Sequence, residues 1–146
     1  MAQPIDLQQL VAVAGDAVVV ADPQGLITLW NPAAERMFGY AEGEALGHPL
    51  DLITPERQRK RHWDGYHKTM ATGVTRYGHE TLRVPAVHKD GHALSIAFTV
   101  GLLKDADGAV TGILAVIRDE TKRWTEEREM RRRLAELESK DASKAA

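Results

Sequence analysis

The chain of 146 residues contains no cysteine. This excludes disulfides, thiolate nucleophiles, cysteine-held zinc or iron–sulfur centres, and photochemistry that ends in a cysteinyl adduct. Long apolar runs are missing too: the one nearest the N-terminus spans only Val11 to Ala14 before Gly15 and Asp16, with no basic region ahead of it. The chain is therefore expected to have no export signal and no membrane span, and to be cytoplasmic. Neither charge is in marked excess, since 19 Lys and Arg stand against 21 Asp and Glu for a formal net charge of −2. Without a global positive field to hold phosphates, direct nucleic-acid binding is not expected. Aromatic residues make up only 5%, yet hydrophobic residues make up 43%, enough for one core.

The apolar residues Ile5, Leu7, Leu10, Val11 and Val13 are spaced for a short amphipathic helix ended by Gly15. A β-branched run at 17–21 halts at Asp22-Pro23-Gln24-Gly25, and residues 26–30 return as a second strand. Asn31-Pro32 reads as a helix start, with Asn31 capping free amides and Pro32 at the first helical position. After a glycine-rich stretch, a longer helix is predicted from Thr54, read as its cap, to Ala71. Three strands follow at 75–87, 93–103 and 110–117, separated by two Asp-Gly hairpin signals. In the middle strand Leu94, Ile96, Phe98, Val100 and Leu102 share one face, taken as the inner one. This order predicts an α+β fold with helices on one face of an antiparallel sheet. From 119 to 140 the composition changes to seven acids and seven bases in 22 residues, a solvated helix. Its apolar stripe Met130, Leu134 and Leu137 suits a short two-helix contact. The expected divisions are an N-terminal flanking helix (1–14), a central domain (15–119), a charged helix (120–140) and a disordered tail (141–146).

The segments Asp16-Ala17-Val18-Val19-Val20-Ala21-Asp22-Pro23-Gln24-Gly25, Trp30-Asn31-Pro32-Ala33-Ala34-Glu35-Arg36-Met37-Phe38-Gly39-Tyr40 and Glu44-Ala45-Leu46-Gly47 resemble the first half of a PAS (S-box) sensory domain. His88-Lys89-Asp90-Gly91 and the run from Gly112 to Thr121, ending in Arg118-Asp119-Glu120-Thr121, resemble the second half. The resemblance covers roughly residues 12–121. It implies a five-stranded antiparallel sheet in the order 2-1-5-4-3, a helical middle enclosing a cavity against the sheet, and a charged signalling helix after the final turn.

A fold of this kind carries many sites, so the ligand has to be argued separately. Haem, a flavin such as FAD, a small organic ligand and no ligand at all are the alternatives. Residues 61–66 of the long helix, Arg-His-Trp-Asp-Gly-Tyr, resemble the same helix of FixL-type haem PAS domains. The gap-free spacing from Pro55 to His62 and on to Asp90-Gly91 places His62 on that family's proximal histidine, and a neutral imidazole is a normal ligand to haem iron. Phe98 and Val100 fall on its two apolar distal-wall positions. The positions of its distal arginine or methionine fall on Leu82 and Glu80, neither of which donates to bound oxygen or supplies sulfur. Arg83 or His79 serves only if the strand slips by one residue, which would turn every side chain to the other face.

Tyr66 and Tyr77 are read as cavity-lining residues with a polar tip. His67 lies ~140° around the helix from His62 and shares no face with it. His48, His79, His88 and His92 fall in loops or at strand ends, which argues against zinc. Trp30 and Trp63 are read as packing residues, with stacking on a flavin, and an Asn31 bond to it, as the alternative. Ser95 and His92 lie on opposite strand faces, and neither a phosphate loop nor a carboxylate dyad is present, so no catalysis is expected. The expected function is that of a sensory or regulatory module for a gas, redox state or small ligand, acting as a homodimer. Its expected partner is a separate output protein such as a histidine kinase or transcription regulator, with neither membrane nor nucleic acid bound directly. A ligand-free dimerisation and protein-interaction module, or a flavin-binding redox sensor, is the alternative.

Overall fold

The computed structural model describes residues 3–75 and 78–145. In chain order the elements are helix α1 (Leu7–Val13), strands β1 (Ala17–Ala21) and β2 (Ile27–Trp30), helices α2 (Pro32–Phe38) and α3 (Glu42–Ala45), and a 3₁₀ turn (Leu50–Leu52). Helix α4 (Glu56–Thr72), strands β3 (Leu82–Val87), β4 (Ala93–Lys104) and β5 (Val110–Asp119), and helix α5 (Thr121–Ala145) complete the chain. The strands form one antiparallel sheet in the order β2-β1-β5-β4-β3, as the resemblance implies.

Because paired residues share a face, the register defines the inner surface directly. Ala17 stands opposite Ile117, Ile117 opposite Phe98, and Phe98 opposite Leu82, which aligns one row across four strands. Trp30, Ala34, Phe38, Ala45 and Ile53 pack against this face with Leu94 and Ile96 to form the core. The rings of Trp30 and Phe38 meet at 5.5 Å between centroids and both are almost wholly buried. Each such side chain contributes on the order of 2–3 kcal/mol of burial. Burial weakens along β4: Leu94 and Ile96 are buried, whereas Phe98, Val100 and Leu102 are only partly so.

Asn31 joins the sheet to the helices around it. Its side-chain oxygen accepts from the backbone amides of Val18 (2.9 Å) and Ala34 (3.0 Å). The amide nitrogen donates to the carbonyls of Val11 (3.0 Å) and Asp16 (3.2 Å). At 3% exposure this side chain is buried with all four bonds made inside the protein. It thus caps α2 and also holds β1 and the end of α1, with Pro32 at the first helical position as expected.

At several ends the structure differs from the sequence reading. Helix α4 has Pro55 at its N-cap and no side-chain cap, because the Thr54 hydroxyl turns back and donates to Leu50 O at 2.8 Å. Strand β3 begins at Leu82, not at 75; Gly78 and His79 form a turn, which leaves Glu80 exposed outside the strand. Helix α5 runs past Lys140 through 141–145, the stretch read as a disordered tail.

Replacing Asn31 by Ala strands two buried amides and two carbonyls. At about 1 kcal/mol for each bond, urea unfolding is expected to show a loss of roughly 3–4 kcal/mol. A loss under about 1 kcal/mol would contradict the bracing role.

Candidate functional site

Only Tyr66 of α4 is fully buried, so the helix is held by a few side chains on one stripe. The Tyr66 hydroxyl donates to the carbonyl of Asp22 in the β1–β2 turn. Trp63 Nε1 donates to Asp51 Oδ1 at 2.7 Å, which ties α4 to the 3₁₀ turn. The six-membered edge of the Trp63 ring lies over Gly25, where a Cβ would come within 2.2 Å of it and where φ is +84°. Glycine is required at that turn on both counts.

His62 sits beside this clamp. Its ring meets Trp63 edge-on at 5.0 Å and lies 5.8 Å from Tyr66, one helical turn further on. The imidazole is half-buried, and Nδ1 is buried with no hydrogen-bond partner. Burial pushes its pKa below the ordinary value of 6.5; the Asp51 carboxylate opposes this, and the charge of His67 adds to it. At neutral pH the ring is uncharged and retains a lone pair. His67 itself is exposed and stacks on the other side of Trp63 at 5.7 Å. The Tyr66 phenol is raised to about 12 by burial and by the charge of Asp22, and so remains a neutral donor.

The other residues singled out in the sequence are more dispersed. Leu82 and Phe98 are paired on the inner face, in the register that the hydrophobic alternation requires. Arg83 opposes Ala97 on the outer face and pairs with Glu120 at 3.6 Å, so it is not turned inward. Val100 lines an open hollow of about 380 Å³ with Val74, Thr75, His79 and Leu102, between the end of α4 and β4. A second hollow, about 410 Å³, lies between α1 and α2 and is lined by Leu7, Val11, Leu29, Trp30 and Pro32. His62 lines neither. Tyr77 lies outside the described residues.

Trp30 and Asn31, weighed as flavin contacts, are otherwise engaged: Trp30 Nε1 donates to Tyr40 O at 3.0 Å, and the Asn31 amide bonds four backbone groups. Asp51, which both holds Trp63 and faces His62, was not singled out. It lies 12 residues from Trp63 in the short 3₁₀ turn, where no periodicity marks a partner.

At the other end of the domain, the root of α5 is tied to β4 by two bonds. Glu120 N donates to Ser95 O (2.8 Å), and Ser95 N donates to Thr121 Oγ1 (3.0 Å). Asp119 Oδ1 accepts from the Thr121 amide (2.8 Å) and hydroxyl (2.5 Å), forming the turn from sheet into helix. Beyond it Met130, Leu134 and Leu137 are exposed.

A five-stranded sheet of this order, with short helices over one face and a helix leaving from the last strand, is a sensory architecture. Residues 5–119 match the family described as the PAS fold, and the chain belongs to that family. It is 30% identical over 140 residues to Sensor protein FixL of Bradyrhizobium diazoefficiens, covering 91% of this chain and 25% of that protein. It is 28% identical over 125 residues to the signal transduction histidine-protein kinase AtoS of Escherichia coli, covering 86% and 19%. The chain thus spans a quarter or less of these two relatives. Among solved structures, a PAS domain from Colwellia psychrerythraea superposes with a TM-score of 0.69 at 26% identity, covering 80% of this chain and 95% of that one. The chain is therefore a PAS sensory domain like those found in histidine kinases. Among the described residues, no helix is long and apolar enough to cross a membrane.

Gly25→Ala forces a methyl into the Trp63 ring at a positive φ. Thermal and urea unfolding are expected to show a loss of about 2 kcal/mol or more. Wild-type stability in this variant would mean that Trp63 does not rest on the turn.

Proposed function

We propose that the domain senses through haem, with His62 as the proximal ligand, and passes its state through α5 to a kinase-type output on another segment or partner. The observation that carries this reading is the buried, unpartnered and uncharged imidazole of His62. A buried polar atom without a partner calls for an explanation, and an iron ligand is one that a neutral imidazole suits. Leu82, Phe98 and Val100 share the inner sheet face and would offer an apolar wall to a flat hydrophobic group. The match to Sensor protein FixL over nearly the whole chain supports the same reading.

When bound, haem supplies an iron whose ligation responds to a diatomic gas or to redox state. In this reading His62 holds the group and the Trp63–Asp51 and Tyr66–Asp22 bonds keep α4 seated. Leu82 would offer the group an apolar contact and no hydrogen bond, and Glu80, exposed outside the strand, has no part in it. The Ser95–Glu120–Thr121 junction carries a change in β4 to the root of α5. The domain performs no catalysis of its own and resides in the cytoplasm. The exposed Met130, Leu134 and Leu137 stripe pairs two copies as a homodimer. That stripe also favours a second reading, a ligand-free pairing module, in which the protein is colourless and the output is assembled by α5 alone.

The absorbance spectrum of protein expressed with haem supplementation separates the two. A Soret band is expected for the wild type and for His67→Ala, and its loss for His62→Ala. A colourless wild type, or an unchanged band in His62→Ala, would overturn the haem reading.

A further inference from the structure

The β3–β4 turn, His88-Lys89-Asp90-Gly91-His92, brings together two imidazoles and a carboxylate that the site above does not use. His88 N donates to His92 O (3.0 Å) and Gly91 N to His88 O (2.9 Å), with Gly91 at φ +95°, so the backbone folds tightly back on itself. The two imidazole rings consequently stack 4.4 Å apart at 21°. Asp90 lies between them: its Oδ1 accepts from His92 N at 2.9 Å, stands 3.3 Å from His88 Nδ1 and contacts His92 Nδ1.

We propose that this hairpin is a binding site for one borderline divalent cation of the zinc type, held by His88 Nδ1, Asp90 Oδ1 and His92 Nδ1. These three residues offer donor atoms all within 4.8 Å of one another. Zinc with bonds of about 2.0–2.1 Å in tetrahedral geometry separates its ligands by roughly 3.3 Å. The His88–Asp90 pair already has that spacing, and the closer His92–Asp90 pair reaches it by rotating two exposed side chains. His88 presents Nδ1 to Asp90, at 3.3 Å from Oδ1, while its Cε1 edge lies over Gly39, where a Cβ would come within 2.5 Å of Cε1, 2.6 Å of Nε2 and 3.2 Å of Nδ1. The cation takes the place of the proton between His92 Nδ1 and Asp90, and of the Asp90 N–H bond to His88 Nδ1 (3.1 Å). Water fills the remaining position. The neighbouring cation, Lys89, is engaged elsewhere, with Nζ on Glu44 Oε2 at 2.5 Å. Imidazole donors favour zinc or nickel over magnesium or calcium.

The hairpin lies at the Val87 end of β3, opposite the Leu82 end, and is fastened to α2 through Lys89 N to Phe38 O at 2.9 Å. A bound cation would therefore brace β3–β4 against α2, independently of haem. The sequence reading set these histidines aside as strand-end residues. They stand four residues apart, but in a hairpin and not a helix, so their approach depends on the turn closing and not on that spacing.

The test is calorimetric titration of ZnCl2, and separately NiCl2 and MgCl2, into EDTA-stripped full-length protein without a histidine tag. One zinc or nickel per chain and a raised Tm are expected, with no response to magnesium. Asp90→Asn and His92→Ala, both at exposed positions, are expected to weaken binding about tenfold or more, whereas His62→Ala leaves it unchanged. No saturable binding, equal binding of magnesium, or affinity unchanged in Asp90→Asn and His92→Ala would overturn the proposal.

Discussion

The way α4 is held against the β1–β2 turn and the 3₁₀ turn sets the environment of His62. A helix of 17 residues that buries only Tyr66 has little apolar surface with which to choose its own orientation. Two polar bonds and one close approach choose it instead: Tyr66 to Asp22 O, Trp63 to Asp51, and the Trp63 ring over Gly25. Residues 62, 63 and 66 lie on neighbouring parts of one stripe, so fixing Trp63 and Tyr66 also determines where residue 62 points. His62 is turned inward as a consequence, and its loss of charge follows from that burial.

The clamp needs a rigid turn to grip, which the rest of the fold provides. Asp22 Oδ1 accepts from Gln24 N (2.9 Å) and Leu26 N (3.0 Å), giving the β1–β2 turn its own internal bracing. Asn31 secures the other end of the same hairpin to α1 and α2. Arg118 adds a two-pronged pair to Asp16, both bonds 3.1 Å, joining the end of β5 to the entry of β1. That pair is exposed and adds little stability by itself.

Hairpin turns and strand faces were legible because they rest on local signals that agree with one another, whereas the sheet order was legible only through the resemblance to PAS domains. Asp-Gly pairs at 90–91 and 107–108 mark two turns, and alternation along 94–98 marks the inner face. The Asn31-Pro32 helix start was legible for the same reason. What was not legible is tertiary. Thr54 has the composition of a cap, yet a nearer acceptor, Leu50 O, wins its hydroxyl. The start of β3 was placed too early because Thr75, Tyr77 and Thr81 suit a strand in sequence, while the chain turns at Gly78 and His79. Asn31 was readable as a cap, but its bonds to Val11 and Asp16 span 20 and 15 residues and leave no periodic trace. His62 could be placed by its spacing to Pro55, whereas its burial depended on Asp51, Trp63 and Tyr66 together.

The most direct measurement of the central claim is an NMR pH titration of the histidine imidazoles in ligand-free protein, with His62 assigned through His62→Gln. If α4 is clamped as described, His62 titrates below 6.5, the ordinary value from which burial displaces it. Titration of His62 at or above 6.5 would contradict the account, since it would place the ring in water and leave nothing for a cofactor to meet.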